Sequence, residues 1–128
     1  MAVSLINPPG LPEIPFYKQV SVATGTRMIH VAGQVAWEGG DFATQVEQCY
    51  LQVGTALAAA GATFGDVVKL TMHVVDWTPD RMPELIDGVG RAAAKLGVTI
   101  EAPASLFGIS ALDVPEHLVE VEAVAVLD

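Results

Sequence analysis

Residues 101–128 read EAPASLFGISALDVPEHLVEVEAVAVLD. A Pro103-Ala104 turn feeds a short apolar strand over residues 105–109. A loop carrying Asp113 and Pro115 follows, and residues 118–127 hold the strongest strand signal in the chain. Successive side chains of a strand point to opposite faces. Leu118, Glu120, Glu122, Val124 and Val126 therefore share one face, and Val119, Val121, Ala123, Ala125 and Leu127 share the other. The second set is a core face. The first puts two carboxylates among three aliphatic side chains, which a dry core does not need. That face either meets water or lines a cleft or subunit contact in which a carboxylate has a task.

Upstream, residues 67–75 (VVKLTMHVV) predict a second long strand. Val68, Leu70, Met72 and Val74 lie on one side, and Val67, Lys69, Thr71, His73 and Val75 on the other. Leu85, Ile86, Val89, Ala92, Ala93 and Leu96 recur at helical spacing, with Pro83 suited to the first turn and Gly97 to the stop. Gly88 and Gly90 weaken that helix by about 1 kcal/mol each relative to Ala, and they let another backbone approach closely. Phe42, Val46, Cys49, Val53, Ala56, Leu57 and Ala60 predict a longer helix over residues 42–60, N-capped by Asp41 and followed by Gly61.

Nearer the N-terminus, residues 19–23 and 27–31 flank Thr24-Gly25-Thr26 and predict a hairpin. The second strand runs on through Ala32-Gly33-Gln34 toward Trp37, with Gly33 marking a bulge or a close backbone approach. The prolines before it make an extended arm. The order β-β-(β)-α-β-α-β-β implies one α+β domain over residues 1–128. Two helices can cover only one face of such a sheet. The other face, carrying Val, Thr, His, Lys and Glu, is too apolar to be wholly wet and too polar for a dry core. Sheets of several copies packing together would resolve this.

Hydrophobic residues make up 52% of the 128 and charged residues 16%, with a net charge of −9 and only six Lys plus Arg. An acidic chain without a basic cluster is a poor match to a phosphate backbone or to an anionic membrane surface. Hence neither nucleic acid nor membrane is expected as a partner. Cys49 is the only cysteine, which fits a reducing, cytoplasmic setting. No run of about 18 apolar residues is present, and MAVSLINPPG does not read as a signal peptide. His30, His73 and His117 lack zinc-like spacing and read as packed histidines, although His73 shares its face with Lys69 and Thr71. Ser105 has no His-Asp partner for a hydrolase triad. Gly33 lacks the glycine spacing and Lys of a phosphate loop. Cys49, on an apolar helix face, reads as inert core.

Several strings, taken in order and spacing, resemble the Rid proteins, the reactive intermediate deaminases of the YjgF type, also labelled endoribonuclease L-PSP. They are Phe16-Tyr17-Lys18-Gln19, residues 28–34 (MIHVAGQ), Ala60-Gly61-Ala62 with residues 66–69 (DVVK), the strand end over 71–76, Pro103-Ala104-Ser105 and residues 119–125 (VEVEAVA). The resemblance covers nearly the whole chain. It implies a chorismate-mutase-like α+β fold with a mixed sheet and two helices on one face. It also implies a homotrimer with small-molecule clefts between subunits, and hydrolysis of imines or enamines to keto acids and ammonia without metal or organic cofactor. In that family an Arg of a Pro-Ala-Arg string holds the substrate carboxylate, a Glu of the last strand orients or activates water, and a Tyr of the N-terminal arm closes the cleft.

Position by position, Glu120 matches that Glu, Tyr17 that Tyr, and Gly33 and Gln34 the family's Gly-Gln turn. Ser105 stands where the Arg should be. A bidentate guanidinium is the geometrically specific way to hold a carboxylate, whereas a hydroxyl supplies one donor and no charge. Arg27, Arg91, Lys69 and Lys18 are the cations that a fold could bring in instead. Glu120 is thus the candidate catalytic residue, and Tyr17, Gly33, Gln34, Ser105 and Phe107 are candidate substrate-binding residues. Trp37 and Phe107 are candidates to line an apolar pocket. The competing reading is a ligand-binding or interaction protein that keeps the trimer without the chemistry. A ribonuclease fits the charge poorly.

Overall fold

The strand with the clearest alternation takes the central position. In the computed structural model, which describes residues 2–128, β6 (Val119–Leu127) lies between β3 (Arg27–Val35) and β4 (Val67–Val75), antiparallel to both. β5 (Ala104–Ile109) joins the outer side of β4 in parallel, giving the order β3-β6-β4-β5. Val119, Val121, Ala123 and Ala125 are all buried, as are Leu70, Met72 and Val74 of β4. These side chains form the floor on which the helices rest.

Helix α1 (Phe42–Ala59) begins where Asp41 accepts a hydrogen bond from the Thr44 N–H at 2.9 Å, the expected N-cap. Helix α2 (Met82–Leu96) carries Pro83 in its first turn and ends at Gly97 in the left-handed conformation, φ 66°. The two helices touch closely at Gly88, where a Cβ would fall 2.6 Å from the Ala43 carbonyl oxygen and from Val46 Cβ. Gly90 meets nothing within 4 Å, so only one of the two helix glycines serves the approach expected of both. Glu47 of α1 is buried and ion-paired with Lys95 and Arg91 of α2. The buried Gln45 donates to the Gly40 and Glu116 carbonyls and accepts from the Leu118 N–H, each at 3.0 Å. This one amide fixes both the entry to α1 and the start of β6.

Three sequence expectations are corrected. The anticipated hairpin does not form: β2 (Val20–Ala23) pairs antiparallel with β1 (Val3–Ile6), a strand the sequence reading placed in no element, and these two make a separate ladder. Gly25 explains the break, because a Cβ there would sit 2.3 Å from the Leu127 carbonyl oxygen. The chain presses against the end of β6 and β3 pairs with β6 instead. Second, a register shift between Val67 and Lys69 turns Val67 into the core, where it is 1% exposed. Third, β3 ends at Val35 and does not reach Trp37. Trp37 is 72% exposed, edge-on to the His117 ring at 5.3 Å.

Candidate functional site

The helices cover one face of the sheet, and the other carries the polar side chains of three strands. The ladder sets their neighbours. Glu120 lies opposite His73, and His73 opposite Phe107. One row along, Glu122 lies opposite Thr71, and Thr71 opposite Ser105. In the next row Val124 stands between His30 and Lys69.

Glu120 is seated over a gap made for it. A register shift between Val31 and Gln34 marks a bulge in β3. A Cβ built on Gly33 would lie 2.1 Å from Glu120 Oε1 and 2.4 Å from its Cδ. Gly33 has no left-handed φ, so glycine is required there for space and not for backbone conformation. Behind this strand, burial first and the charge of Glu120 second push the Cys49 thiol up to about 12. Its sulfur lies 3.6 Å from the Val119 carbonyl as a weak donor, which agrees with an inert core cysteine.

The His73 ring stacks on Phe107 with centroids 5.8 Å apart and planes 21° from parallel. His73 Nδ1 is buried with no hydrogen-bond partner, and Phe107 is half exposed. Lys69 Nζ donates to Ser105 Oγ at 2.7 Å. Beside this pair His30, Lys69, Thr71 and Glu122 line a hollow of about 130 Å³. Four other cations are engaged elsewhere: Arg27 with the Asp128 carbonyl, Arg81 with the Val75 and Asp76 carbonyls, and Arg91 and Lys95 with Glu47.

The remaining sequence candidates lie elsewhere in the subunit. Tyr17 lines an apolar cavity of about 600 Å³ with Met82, Leu85, Val89, Ala104 and Leu106. Ala104 and Leu106 alternate with Ser105 along β5, so Tyr17 stands on the helix side of that strand, away from Glu120. The Gln34 side chain donates to the Ala32 carbonyl and accepts from Gln52 of α1 at 3.4 Å. It is turned to the helix layer, and only its backbone flanks Gly33. One subunit thus brings together Glu120 with Gly33, Ser105 with Lys69 and Phe107 with His73, but not Tyr17 or the Gln34 amide. The Lys69–Ser105 and His73–Phe107 contacts follow from the parallel β4–β5 register. In the sequence their only trace is that Lys69, Thr71 and His73 alternate on one side. Among the described residues, no group of three or more His, Cys, Asp or Glu is placed to hold a metal, and no helix is long and apolar enough to cross a membrane.

A mixed four-stranded sheet with two helices on one face, and a carboxylate of the last strand over a Gly-Gln bulge, defines a recognisable class of small α+β protein. The family model described as Endoribonuclease L-PSP matches residues 12–127, and the chain belongs to this family, that of the Rid and YjgF proteins. A Rid-family protein of unknown function from Yersinia pestis, YyfB, is 34% identical over 99% of this chain and 100% of its own, with a TM-score of 0.86. A YjgF/YER057c/UK114 family member from Mycobacterium tuberculosis is 28% identical over 98% and 99%, with a TM-score of 0.67. TdcF of E. coli, solved with bound serine, shares the fold at 22% identity, covering 98% and 99%, with a TM-score of 0.68. Comparison with curated proteins gives no match.

Proposed function

We propose that the chain is a small-molecule enzyme that hydrolyses an imine or enamine, with Glu120 orienting and activating the attacking water. The observation that carries this reading is the seat of Glu120: a half-buried carboxylate held over Gly33, opposite His73, on a sheet face that no element among the described residues covers. A strand carboxylate kept for solubility alone needs no glycine cleared beneath it. In the reaction, water adds to the C=N carbon while Glu120 takes one of its protons and returns it to nitrogen, giving a carbinolamine. Glu120 then carries the hydroxyl proton to nitrogen as the C–N bond breaks, and ammonia and a carbonyl compound result. A positioned base of this kind contributes about 10² to 10⁴ in rate.

The open face is incomplete in one subunit, and packing of copies through it supplies the missing wall. The family resemblance implies three copies, with Tyr17 closing the cleft between neighbours. The serine bound by TdcF, which shares the fold, supports a small amino-acid-like ligand. The test is ammonia release from 2-iminobutanoate generated in situ by an amino-acid oxidase, with Glu120→Gln beside the native chain. Turnover untouched by Glu120→Gln sinks the proposed role. Light scattering checks the trimer, and a monomer mass contradicts it.

The resemblance favours a second reading, a ligand-binding trimer without turnover, because it aligns Ser105 with the family's Arg. That reading predicts thermal stabilisation by small carboxylates with no product formed, and clear turnover rules it out. RNA cleavage, which the family label suggests, fits poorly with a net charge of −9. Cleavage by highly purified protein, abolished by Glu120→Gln, would revive it.

A further inference from the structure

We propose that the apolar cavity between α2 and the β4–β5 half of the sheet binds an uncharged aromatic molecule carrying one carbonyl oxygen, which the Tyr50 hydroxyl recognises. This goes beyond the reaction proposed above and does not depend on it. β5 turns Ser105 and Phe107 to the open face, but Ala104 and Leu106 to the cavity. The gap exists because α2 leans on α1 and not on the sheet. Gly88 brings the two helices into backbone contact, Glu47 ties them through Lys95 and Arg91, and α2 stands off β4 and β5. Ile86 and Val89 line the gap from α2, Ala104 and Leu106 from β5, and all four are only half-buried. Small residues widen it. Gly90 and Ala93 also line it, and a Cβ on Gly90 would meet nothing within 4 Å.

The walls set the ligand. At about 600 Å³ the cavity falls within the roughly 300–1,000 Å³ of small-molecule sites. Benzene occupies an apolar cavity of about 150 Å³, so this space suits roughly ten to twenty heavy atoms. Among the described residues no charged side chain lines it, so an ion would lose its water without gaining a partner. Met72 and Met82 line it with sulfurs that favour contact with aromatic rings. Tyr50 is 2% exposed, and its ring stacks on Phe64. Among the described residues its hydroxyl bonds only to the Met72 thioether sulfur, at 3.3 Å, a weak acceptor. Burial pushes the Tyr50 pKa up, so the group stays a neutral donor, and a ligand oxygen would satisfy it better than sulfur does. Phe16 and Met82, both exposed, mark the mouth. The arm over it is tied down where the Lys18 N–H donates to the Glu101 carbonyl at 2.8 Å.

The probe is prodan, a neutral naphthyl ketone whose emission moves to the blue in apolar surroundings. The full chain is expected to shift its emission and to bind about one molecule per chain, as the cavity volume allows. 2-Acetonaphthone should displace it. 2-Naphthoate, of similar size but charged at neutral pH, should compete about tenfold more weakly or worse. Tyr50→Phe should weaken 2-acetonaphthone by about threefold to tenfold and leave naphthalene, which has no acceptor, unchanged. Ala93→Phe and, separately, Ala104→Leu put bulk into the cavity and should abolish the shift, with thermal melts checking that each variant folds. An unshifted emission with the native chain overturns the proposal, as does binding that survives both filled variants. So does 2-naphthoate bound as tightly as 2-acetonaphthone, or equal loss of naphthalene and the ketone in Tyr50→Phe. The comparison of the two naphthyl ligands needs only the native chain and decides even where a filled variant does not fold. Binding that appears only on dilution to monomer places a neighbouring copy in the cavity and also overturns the reading.

Discussion

Substituting Gly33 by Ala tests whether the Glu120 carboxylate is truly seated in the β3 bulge. The new Cβ would lie 2.1 Å from Oε1, 2.4 Å from Cδ and 2.7 Å from Cγ. Moving the carboxylate tip alone does not relieve a conflict that reaches Cγ, so Glu120 must leave its rotamer. Displacement of this kind costs about 0.5–1.5 kcal/mol. Against it, Ala restricts the unfolded chain and stabilises by about 0.4–1 kcal/mol where the backbone permits it, as it does at Gly33. The single variant should therefore be nearly neutral to about 1 kcal/mol less stable. In a Glu120→Ala background the conflict disappears, and Gly33→Ala should stabilise. The coupling in a double-mutant cycle is then about 0.5–1.5 kcal/mol, above the 0.3–0.5 scatter of independent sites. Urea unfolding of the four proteins at one fixed concentration measures it, since association shifts apparent stability. If Glu120 orients water, Gly33→Ala also loses about 10²-fold or more in turnover, close to the loss in Glu120→Gln. Additive stabilities, or full turnover in Gly33→Ala, would refute the seat.

The two glycines of α2 should respond with opposite signs. Gly88→Ala forces α1 and α2 apart at backbone contacts and costs about 1–3 kcal/mol, whereas Gly90→Ala meets open space and stabilises by up to about 1 kcal/mol; denaturation midpoints that moved the same way would contradict the packing. Cys49, its thiol pushed up to about 12, carries a thiolate fraction of only about 10⁻⁴ at pH 8. A chromogenic disulfide reagent should find no thiol in the native protein and one per chain in guanidinium, so fast native labelling would place the helix face wrongly. Asp113 is held below the ordinary carboxylate range, chiefly by its hydrogen bond with His117. The folded state binds that proton less tightly than the unfolded one, so the stabilisation is complete above about pH 4. It is lost as pH falls through the folded-state value. Asp113→Asn should flatten the acid limb of stability against pH, and an unchanged limb would show that the pair does not form.

Elements whose signal is local were legible in the sequence. Asp41, Pro83 and Gly97 mark helix boundaries because capping depends on neighbours a few residues away, and the β6 alternation names its core face without reference to any partner. Strand partners were not legible. Residues 20–23 and 27–31 look like a hairpin at short range, yet Ser21 Oγ donates to the Val68 carbonyl at 2.6 Å and Gly25 abuts Leu127. Both contacts are remote in sequence, and together they draw the strands apart. Gln45 and Glu47 read as ordinary polar positions of a helix. Only the approach of the loop before β6, and of α2, makes them buried and bonded. Gly33 was legible as a close approach, but what approaches it depends on the β3–β6 register.

Ser105 shows why charge has to be counted across the sheet as well as along the chain. By the family resemblance Ser105 stands where an Arg is expected, and the sequence offers Lys69 only as one of four cations that a fold could bring in. The α2 crossover makes β5 parallel to β4, and that register brings residues 69–73 alongside residues 105–107. Lys69, two residues before Ser105's direct partner Thr71, then reaches the hydroxyl diagonally. A positive charge thus stands beside Ser105, carried by the neighbouring strand as a point charge with rotatable donors. An ammonium sets no bidentate geometry, so orientation has to come from a second contact.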